Sequence, residues 1–379
     1  MIDLEGLRKT EVAMFRSGPL VASPVSLISE IVGIFEKSDV YEVFIEDGDK
    51  VGVVSIRDVL RATDIRNMRA SSLMTTIPKL LPTDAVARAA ALMGEYRLRS
   101  FPLGEKRIDG AVTVQSLCQA LLPIREFGSI RIDKLVKKDP LTIGKNDYAS
   151  KARSLMVKDG LDQLPVLDSG NVCGMLLSNQ VVLSMFPKEK VEQSIMGGGV
   201  DRYSDIKVTD LMDANVLVCD PEEYASDVLK RMLIQHKTNV VVKLWDELQG
   251  IVTYRDFVGL LVEPEKPDFP AYIVGLPDDP FEAHLARAKF FREARALRRS
   301  FLGIEEISAT IKTKNVPSGS RRYEVSVSIK VHGAVHAYSA GGWDLALVFD
   351  GLQGKMKRLL TQKPDRRMKE TARRSSLAS

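Results

Sequence analysis

Two side chains of complementary chemistry recur three residues apart in this chain. Ser55 and Asp58 close the phrase Gly52-Val53-Val54-Ser55-Ile56-Arg57-Asp58, and Thr253 and Asp256 close Gly250-Ile251-Val252-Thr253-Tyr254-Arg255-Asp256. A hydroxyl at a strand end, followed by a carboxylate at the start of a helix, offers a donor and an acceptor pair. Helix N-termini also favour phosphate. Plain N-caps use the same residue types and are worth about 1 kcal/mol each, so both readings stand at this level. A further copy, Gly110 to Ser116, keeps the hydroxyl of Thr113 but has Ser116 in place of the acid. Another, Gly174 to Gln180, has Leu177 and Gln180 at the two positions, and no site is expected there.

Nothing else in the chain has catalytic spacing. The four histidines, His236, His284, His332 and His336, lack a metal-ligand pattern. Gly197-Gly198-Gly199 has no following Lys-Ser/Thr, so it is not a phosphate-cradling loop and reads as a flexible connection. Paired, perturbed titratable groups are the usual mark of an enzyme, and without them the expectation is a binding protein with no metal and no required cofactor.

The four phrases must be positioned by four similar units. Their glycines are 58, 64 and 76 residues apart, which makes each repeat too long for a solenoid unit and long enough for a small α/β unit. Every copy shows the same order. A helical stripe comes first, such as Ala225, Val228, Leu229, Met232 and Leu233, or Ala149, Ala152, Leu155 and Met156, or Ile28, Ile31, Ile34 and Phe35. An apolar strand follows (Tyr41 to Ile45, Leu164 to Leu167, Asn239 to Val242), then a turn such as Glu46-Asp47-Gly48-Asp49. The phrase forms the next strand, and a second helix starts at its acidic end.

The β-α-β-β-α order and the Gly-h-h-Ser/Thr-x-x-Asp phrase resemble the cystathionine-β-synthase (CBS) domain. About residues 10 to 262 are similar to four of them. The resemblance implies that repeats pair into compact modules, expected at 8–127 and 128–263. It also implies that hydroxyl and acid contact the phosphate and ribose of an adenosine nucleotide such as AMP, ADP or ATP. Carried over, the nucleotide-binding residues are Ser55, Asp58, Thr113, Thr253 and Asp256.

Charge divides the chain of 379 residues. Residues 281–379 hold 20 Lys/Arg against 9 Asp/Glu, a net of +11, and residues 1–280 hold 34 against 41, a net of −7. Such asymmetry suggests an anion-seeking module joined to an acidic one. The proline-rich stretch 264–270 reads as the linker. Beyond it, Ala271 to Leu276 is an expected strand and Pro280 to Phe301 a helix with an apolar stripe of Ala283, Ala286, Phe290, Ala294, Leu297 and Phe301. Ile304 to Lys314, Tyr323 to Val331 and Ala334 to Ala340 follow as strands, and Leu345, Phe349, Leu352, Met356 and Leu359 mark a final helix. The basic tail 362–379 is expected to be disordered when free.

This β-α-β-β-β-α order, most of all in Tyr323 to Val331, His336-Ala337-Tyr338 and Trp343 to Leu360, resembles the ribosome hibernation-promoting factor domain over about 271–361. The fold class expected is α/β and α+β: two tandem CBS-pair modules followed by that domain. The resemblance implies a contact face on small-subunit ribosomal RNA made of Arg287, Arg292, Arg295, Arg298, Arg299, Lys355, Lys357 and Arg358. It also implies a ribosome partner, one subunit or both, as in an archaeal hibernation factor that occludes the mRNA/tRNA channel. The alternative is a nucleotide-responsive regulator of an enzyme or of transcription. Three scattered cysteines (Cys118, Cys173, Cys219), no basic-then-apolar leader and no apolar run of membrane length point to a reducing, cytoplasmic setting.

Overall fold

The computed structural model of the chain describes residues 3–48, 50–62, 67–186, 205–263, 267–301, 303–315, 321–331, 334–343, 345, 347–349, 351–352 and 356. Gly197-Gly198-Gly199, His332 and the tail 362–379 lie outside them. Two compact units are present, Met1–Val262 and Glu263–Ser379.

Each repeat builds the expected order. In the first, strand Val21–Ala22 leads to helix Ile28–Ser38, the hairpin Glu42–Asp47 and Lys50–Ser55, and helix Ile56–Arg61. The corresponding pieces of the second are helix Val86–Tyr96, strands Ser100–Leu103 and Gly110–Thr113, and helix Val114–Leu121. The third runs through Ala149–Asp159, Gln163–Asp168, Asn171–Leu177 and Ser178–Ser184, and the fourth through Ala225–Ile234, Asn239–Leu244, Glu247–Thr253 and Tyr254–Val258. Periodicity explains the helices: Ile28, Ile31, Val32 and Phe35 lie on one face and are all buried.

The glycines of the phrase have a role that the motif does not reveal. Each repeat is preceded by a leader segment, and that leader crosses to the neighbouring repeat. Thr75–Thr76, ahead of the second repeat, pairs with Gly52 and Val53 of the first. Ser17, ahead of the first, bridges Ala111 of the second. Lys137–Lys138 pairs with Gly250 and Ile251, and Asp213 bridges Met175, so the third and fourth repeats exchange leaders in the same way. A Cβ on Gly52, Gly110, Gly174 or Gly250 would fall within 3.0 Å of Met74, Arg16, Met212, or Val136 and the Lys137 carbonyl. The crossing leader lies against each glycine, through a side chain at Gly52, Gly110 and Gly174 and through backbone as well at Gly250, and no unusual φ is involved.

Leaders are exchanged between the first and second repeats and between the third and fourth, and all four repeats lie in one compact unit. The helices of the first repeat share one core with those of the third: Ile31, Phe35, Val59 and Leu60 pack with Ala152, Met156, Val181 and Val182. Arg153 of the third repeat donates from Nε to the Leu60 carbonyl and from Nη2 to that of Ala62, both at 2.7 Å. The second and fourth repeats meet through Phe127 and Phe257, edge to face at 6.1 Å, and through the Cys118 thiol donating to the Tyr254 carbonyl. Sheets join repeats within a module, helices join the modules, and the result is the single compact unit.

In the second unit, strands Ala271–Val274, Ile304–Asn315, Arg321–Val331 and Ala334–Gly342 form one sheet in that order. The first pair is parallel and the others antiparallel. Helix Pro280–Ser300 starts where Asp279 accepts from the N–H groups of Phe281 and Glu282, with proline at the first position. Phe290, Phe291 and Leu297 bury against Ile307, Val325 and Val327, and Leu345, Phe349, Leu352 and Met356 complete that core. The described elements follow the order β-α-β-β-β, and strict alternation of Tyr323, Val325, Val327 and Ile329 buries one sheet face.

Adding one methyl at Gly250 drives it into the Lys137 carbonyl, which cannot move without breaking the pairing. Gly250→Ala should lower stability by about 1–3 kcal/mol in urea denaturation. Gly52→Ala meets only the movable end of Met74 and should cost clearly less. Equal effects of the two substitutions would contradict the reciprocal-leader account.

Candidate functional site

The phrase residues act as N-caps in all four repeats. Ser55 Oγ donates to Asp58 Oδ2 at 2.6 Å, and the Ser55 N–H donates to the same oxygen at 2.9 Å. Thr253 repeats both bonds to Asp256 Oδ2 at 2.7 and 2.8 Å. The Thr113 N–H donates to Ser116 Oγ at 3.3 Å, and the Leu177 N–H to Gln180 Oε1 at 2.7 Å. A capping role shared by all four copies means that the phrase alone does not mark a site. The surroundings decide which copies face open space.

Those surroundings differ sharply. In the fourth repeat, Lys137 Nζ sits 2.8 Å from Asp256 Oδ1, so both carboxylate oxygens are engaged within the protein. In the first, Asp58 Oδ1 lies 3.9 Å from Arg61 Nη1, and Ser55 and Asp58 line an open cleft. One wall is the phrase itself, from Val53 to Arg61. A second wall is the exchanged leader, through Thr75 and Ile77. The third is the end of helix Val86–Tyr96, with Tyr96, Arg97 and Leu98, and Gly160 of the third repeat closes the far side. Val53, Ile77, Tyr96 and Leu98 offer apolar and aromatic surface, Ser55 and Asp58 a hydroxyl and a carboxylate, and Arg57, Arg61 and Arg97 three guanidinium groups suited to phosphate.

A second cleft lies at the third repeat, where no site was expected from Leu177 and Gln180. Its walls are related to those of the first, segment by segment: Met175 to Asn179, the leader Asp213 to Leu217, the end of helix Ala225–Ile234, and Asp39 from the first repeat. Arg97 and Gly160 of the first cleft correspond to His236 and Asp39 here. All four occupy the same place after a repeat's first helix, with φ of 56°, 64°, 53° and 48°.

Between the clefts, four repeats contribute to one polar cluster. Asp162 of the third repeat, 5% exposed in its side chain, holds Arg255 Nη2 of the fourth at 2.7 Å. Arg57 of the first and Arg99 of the second lie 3.7 and 3.9 Å from the same Oδ2. Arg57 Nη2 also donates to the Arg97 carbonyl at 2.5 Å, tying this cluster to the first cleft. Arg99 lies over the ring of Tyr41, 3.4 Å from its centroid. Burial pulls the Arg255 guanidinium below its ordinary value, and burial pushes the neighbouring Glu42 carboxyl up. The residue just before the acid of the phrase, Arg57 or Arg255, carries this cluster. Both were visible in the motif, but their common partner Asp162 lies outside it.

In the second unit, the five arginines of the expected contact face on helix Pro280–Ser300 separate into two sets. Arg287, Arg292 and Arg299 are exposed. Arg295 Nε donates to the Phe291 carbonyl at 3.4 Å, and Arg298 donates to the Ile304 carbonyl and lies 5.9 Å from the Phe269 ring. Lys355, Lys357 and Arg358 lie outside the described residues. Tyr323 donates to Glu282 at 2.8 Å, and burial together with that carboxylate pushes its pKa up to about 12.

Comparison with known proteins agrees with the repeat architecture. The CBS domain family matches residues 132–183 and 208–263, which are the third and fourth repeats. The first and second repeats have the same element order and are similar to the matched pair. Its fold is similar to that of MJ1225 from Methanocaldococcus jannaschii, a proposed archaeal homolog of g-AMPK, with a TM-score of 0.60 at 14% identity over 66% of this chain and 99% of that one. In sequence it is 22% identical over 320 residues to the uncharacterized protein MJ1404 of the same organism, covering 82% of this chain and 76% of that protein. It is also 25% identical over 206 residues to the inosine-5'-monophosphate dehydrogenase of Korarchaeum cryptofilum, 48% of this chain but only 40% of that enzyme's length. Among the described residues no helix is long and apolar enough to cross a membrane.

Removing the Asp162 carboxylate would leave three partly buried arginines without their shared acid. Asp162→Ala should therefore destabilise the first unit by about 3 kcal/mol or more, read in denaturant titration. A loss below about 1 kcal/mol would show that the cluster is solvated rather than mutually held.

Proposed function

We propose that this chain is a non-catalytic, nucleotide-responsive regulator whose first-repeat cleft binds an adenosine nucleotide. The observation that carries this reading is the joint presence, in one open cleft, of Ser55 and Asp58, an apolar and aromatic lining, and Arg57, Arg61 and Arg97. The arginines take the phosphate, Ser55 and Asp58 the ribose, and the surface around Tyr96 and Ile77 the base. In this reading Thr113, Thr253 and Asp256 serve first as helix caps, and Lys137 competes with any ligand for Asp256. The fold shared with a proposed homolog of g-AMPK and the sequence match to a dehydrogenase of a purine nucleotide are consistent with it.

The basic second unit is the output in this proposal. Its net charge, together with the exposed Arg287, Arg292 and Arg299 on one helix, favours a nucleic-acid partner. The particular partner proposed is the ribosome, through small-subunit RNA, with steric occlusion of the mRNA/tRNA channel as the mechanism. Regulation of an enzyme or of transcription is the other reading, and it keeps the same nucleotide site.

Calorimetric titration of the full chain with AMP, ADP and ATP tests the first part. Arg97→Asn, which keeps a residue tolerant of left-handed backbone, should weaken binding by about tenfold to a hundredfold, the loss of one charge-assisted hydrogen bond. Binding that is absent in the wild type, or indifferent to Arg97, would exclude this cleft. Co-sedimentation with ribosomes tests the output. Replacing Arg287, Arg292 and Arg299 with Glu should abolish association, and the wild-type affinity should fall steeply with salt. Unchanged sedimentation of the folded triple variant would remove the ribosome reading.

A further inference from the structure

The sheet of the second unit ends on an unprotected edge. Strand Ala334–Gly342 pairs with Arg321–Val331 on one side, and among the described residues no strand pairs with its other side. Its 9 residues hold no carboxylate, ammonium or guanidinium group and no proline, and its register with the neighbouring strand runs without a bulge. Soluble proteins blunt sheet edges with charge, proline, bulges or short strands, because a free row of N–H and C=O groups is a template for another strand. The remaining sheet edges among the described residues follow that rule. They are strands of 2 to 4 residues, except Asn171–Leu177, which carries a register shift and is bridged by Asp213.

The side chains decide what fits this edge. The register puts Ala334, His336, Tyr338, Ala340 and Gly342 on the face that packs on the core, and Val335, Ala337, Ser339 and Gly341 on the opposite face. Larger side chains fill the first half of the strand and small ones the second. A second copy running antiparallel, with a two-fold axis at Tyr338, pairs the whole strand. It sets Val335 against Gly341, His336 against Ala340, and Tyr338 against its own copy. Each larger side chain then meets a small one, and the axis carries an aromatic cross-strand pair. Val335, 64% exposed, gains cover. On the same outer face of the neighbouring strand, Glu324 is held by Lys314 at 2.8 Å and Lys330 by Glu305 at 3.4 Å. The edge therefore offers no charge for an acidic or a basic peptide to read, and an uncharged strand complements it.

We propose that Ala334–Gly342 is a self-pairing edge through which two copies of this chain join their sheets into one. The contact is isologous, with the same strand supplied by both copies. It goes beyond the nucleotide reading and does not depend on it. Residues 281–379 carry a net +11, so like charge opposes the pairing and salt tightens it. A contact between the acidic residues 1–280 of one copy and the basic 281–379 of another would respond to salt in the opposite sense.

Sedimentation velocity of the full chain, at rising protein concentration and at low and high salt, makes the test. The expected result is a species of twice the chain's mass that grows with concentration and with salt. Ala337→Lys sets two ammonium groups diagonally across the axis and should raise the dimer dissociation constant roughly fivefold, the range of like charges on adjacent strands. Ala337→Val, which favours a strand and adds no charge, should not raise it. Should Ala337→Lys fail to fold by circular dichroism, Val335→Lys charges the same edge at an exposed position, with the same direction expected. Hydrogen exchange locates the contact: the amides of 334–342 should slow as the dimer forms, and those of Ala271–Val274 should not. A chain that stays monomeric, a dimer that salt dissociates, a dimer indifferent to the added lysine, or exchange at 334–342 unchanged on dimerisation would each overturn the proposal.

Discussion

The contact on which the first unit depends is a leader segment packed against a glycine of the neighbouring repeat. Each leader crosses to its neighbour and packs where a Cβ would otherwise stand, at Gly52, Gly110, Gly174 and Gly250. That exchange decides which repeats pair. It also supplies a wall of each cleft: Thr75 and Ile77 enter the first from the second repeat's leader, and Asp213 and Asn215 enter the other from the fourth's. Binding space therefore exists because the repeats trade strands, and a side chain on one of these glycines would disturb both the pairing and the site.

Much of this was legible in the residues. The helix stripes and the strands of every repeat follow from apolar period, and the strand alternation of Tyr323 to Ile329 reads directly as a one-sided sheet. The phrase located the four helix caps. It did not say which cap faces open space, because that depends on segments far apart in the chain. Asp256 has the same motif as Asp58, yet Lys137 covers it. Leu177 and Gln180 lack the motif, yet a cleft opens beside them, since its walls come from the fourth repeat and from Asp39. Aligning the residue after each first helix, Asp39, Arg97, Gly160 and His236, was the available signal, and it carries the charge difference between the clefts.

The modules followed the same logic. Pairing within 8–127 and 128–263 was implied by the family resemblance, but the shared core of the first and third repeats needs the helix faces to be seen in three dimensions. The polar cluster around Asp162 has the same origin. Each of its members sits on a different repeat, so no local spacing links Arg57, Arg99 and Arg255. On the second unit, the resemblance placed five arginines of one helix on a contact face. Two of them turn back to carbonyls of their own unit, Arg295 to Phe291 and Arg298 to Ile304, which leaves Arg287, Arg292 and Arg299 as the outward set.

Crystals of the full chain soaked with AMP test the central claim most directly. The account places the phosphate on Arg57 and Arg97 and the ribose on Ser55 and Asp58, with the third-repeat cleft free of AMP. Density for AMP against Asp39 and Asn179, with none at the first repeat, would contradict it.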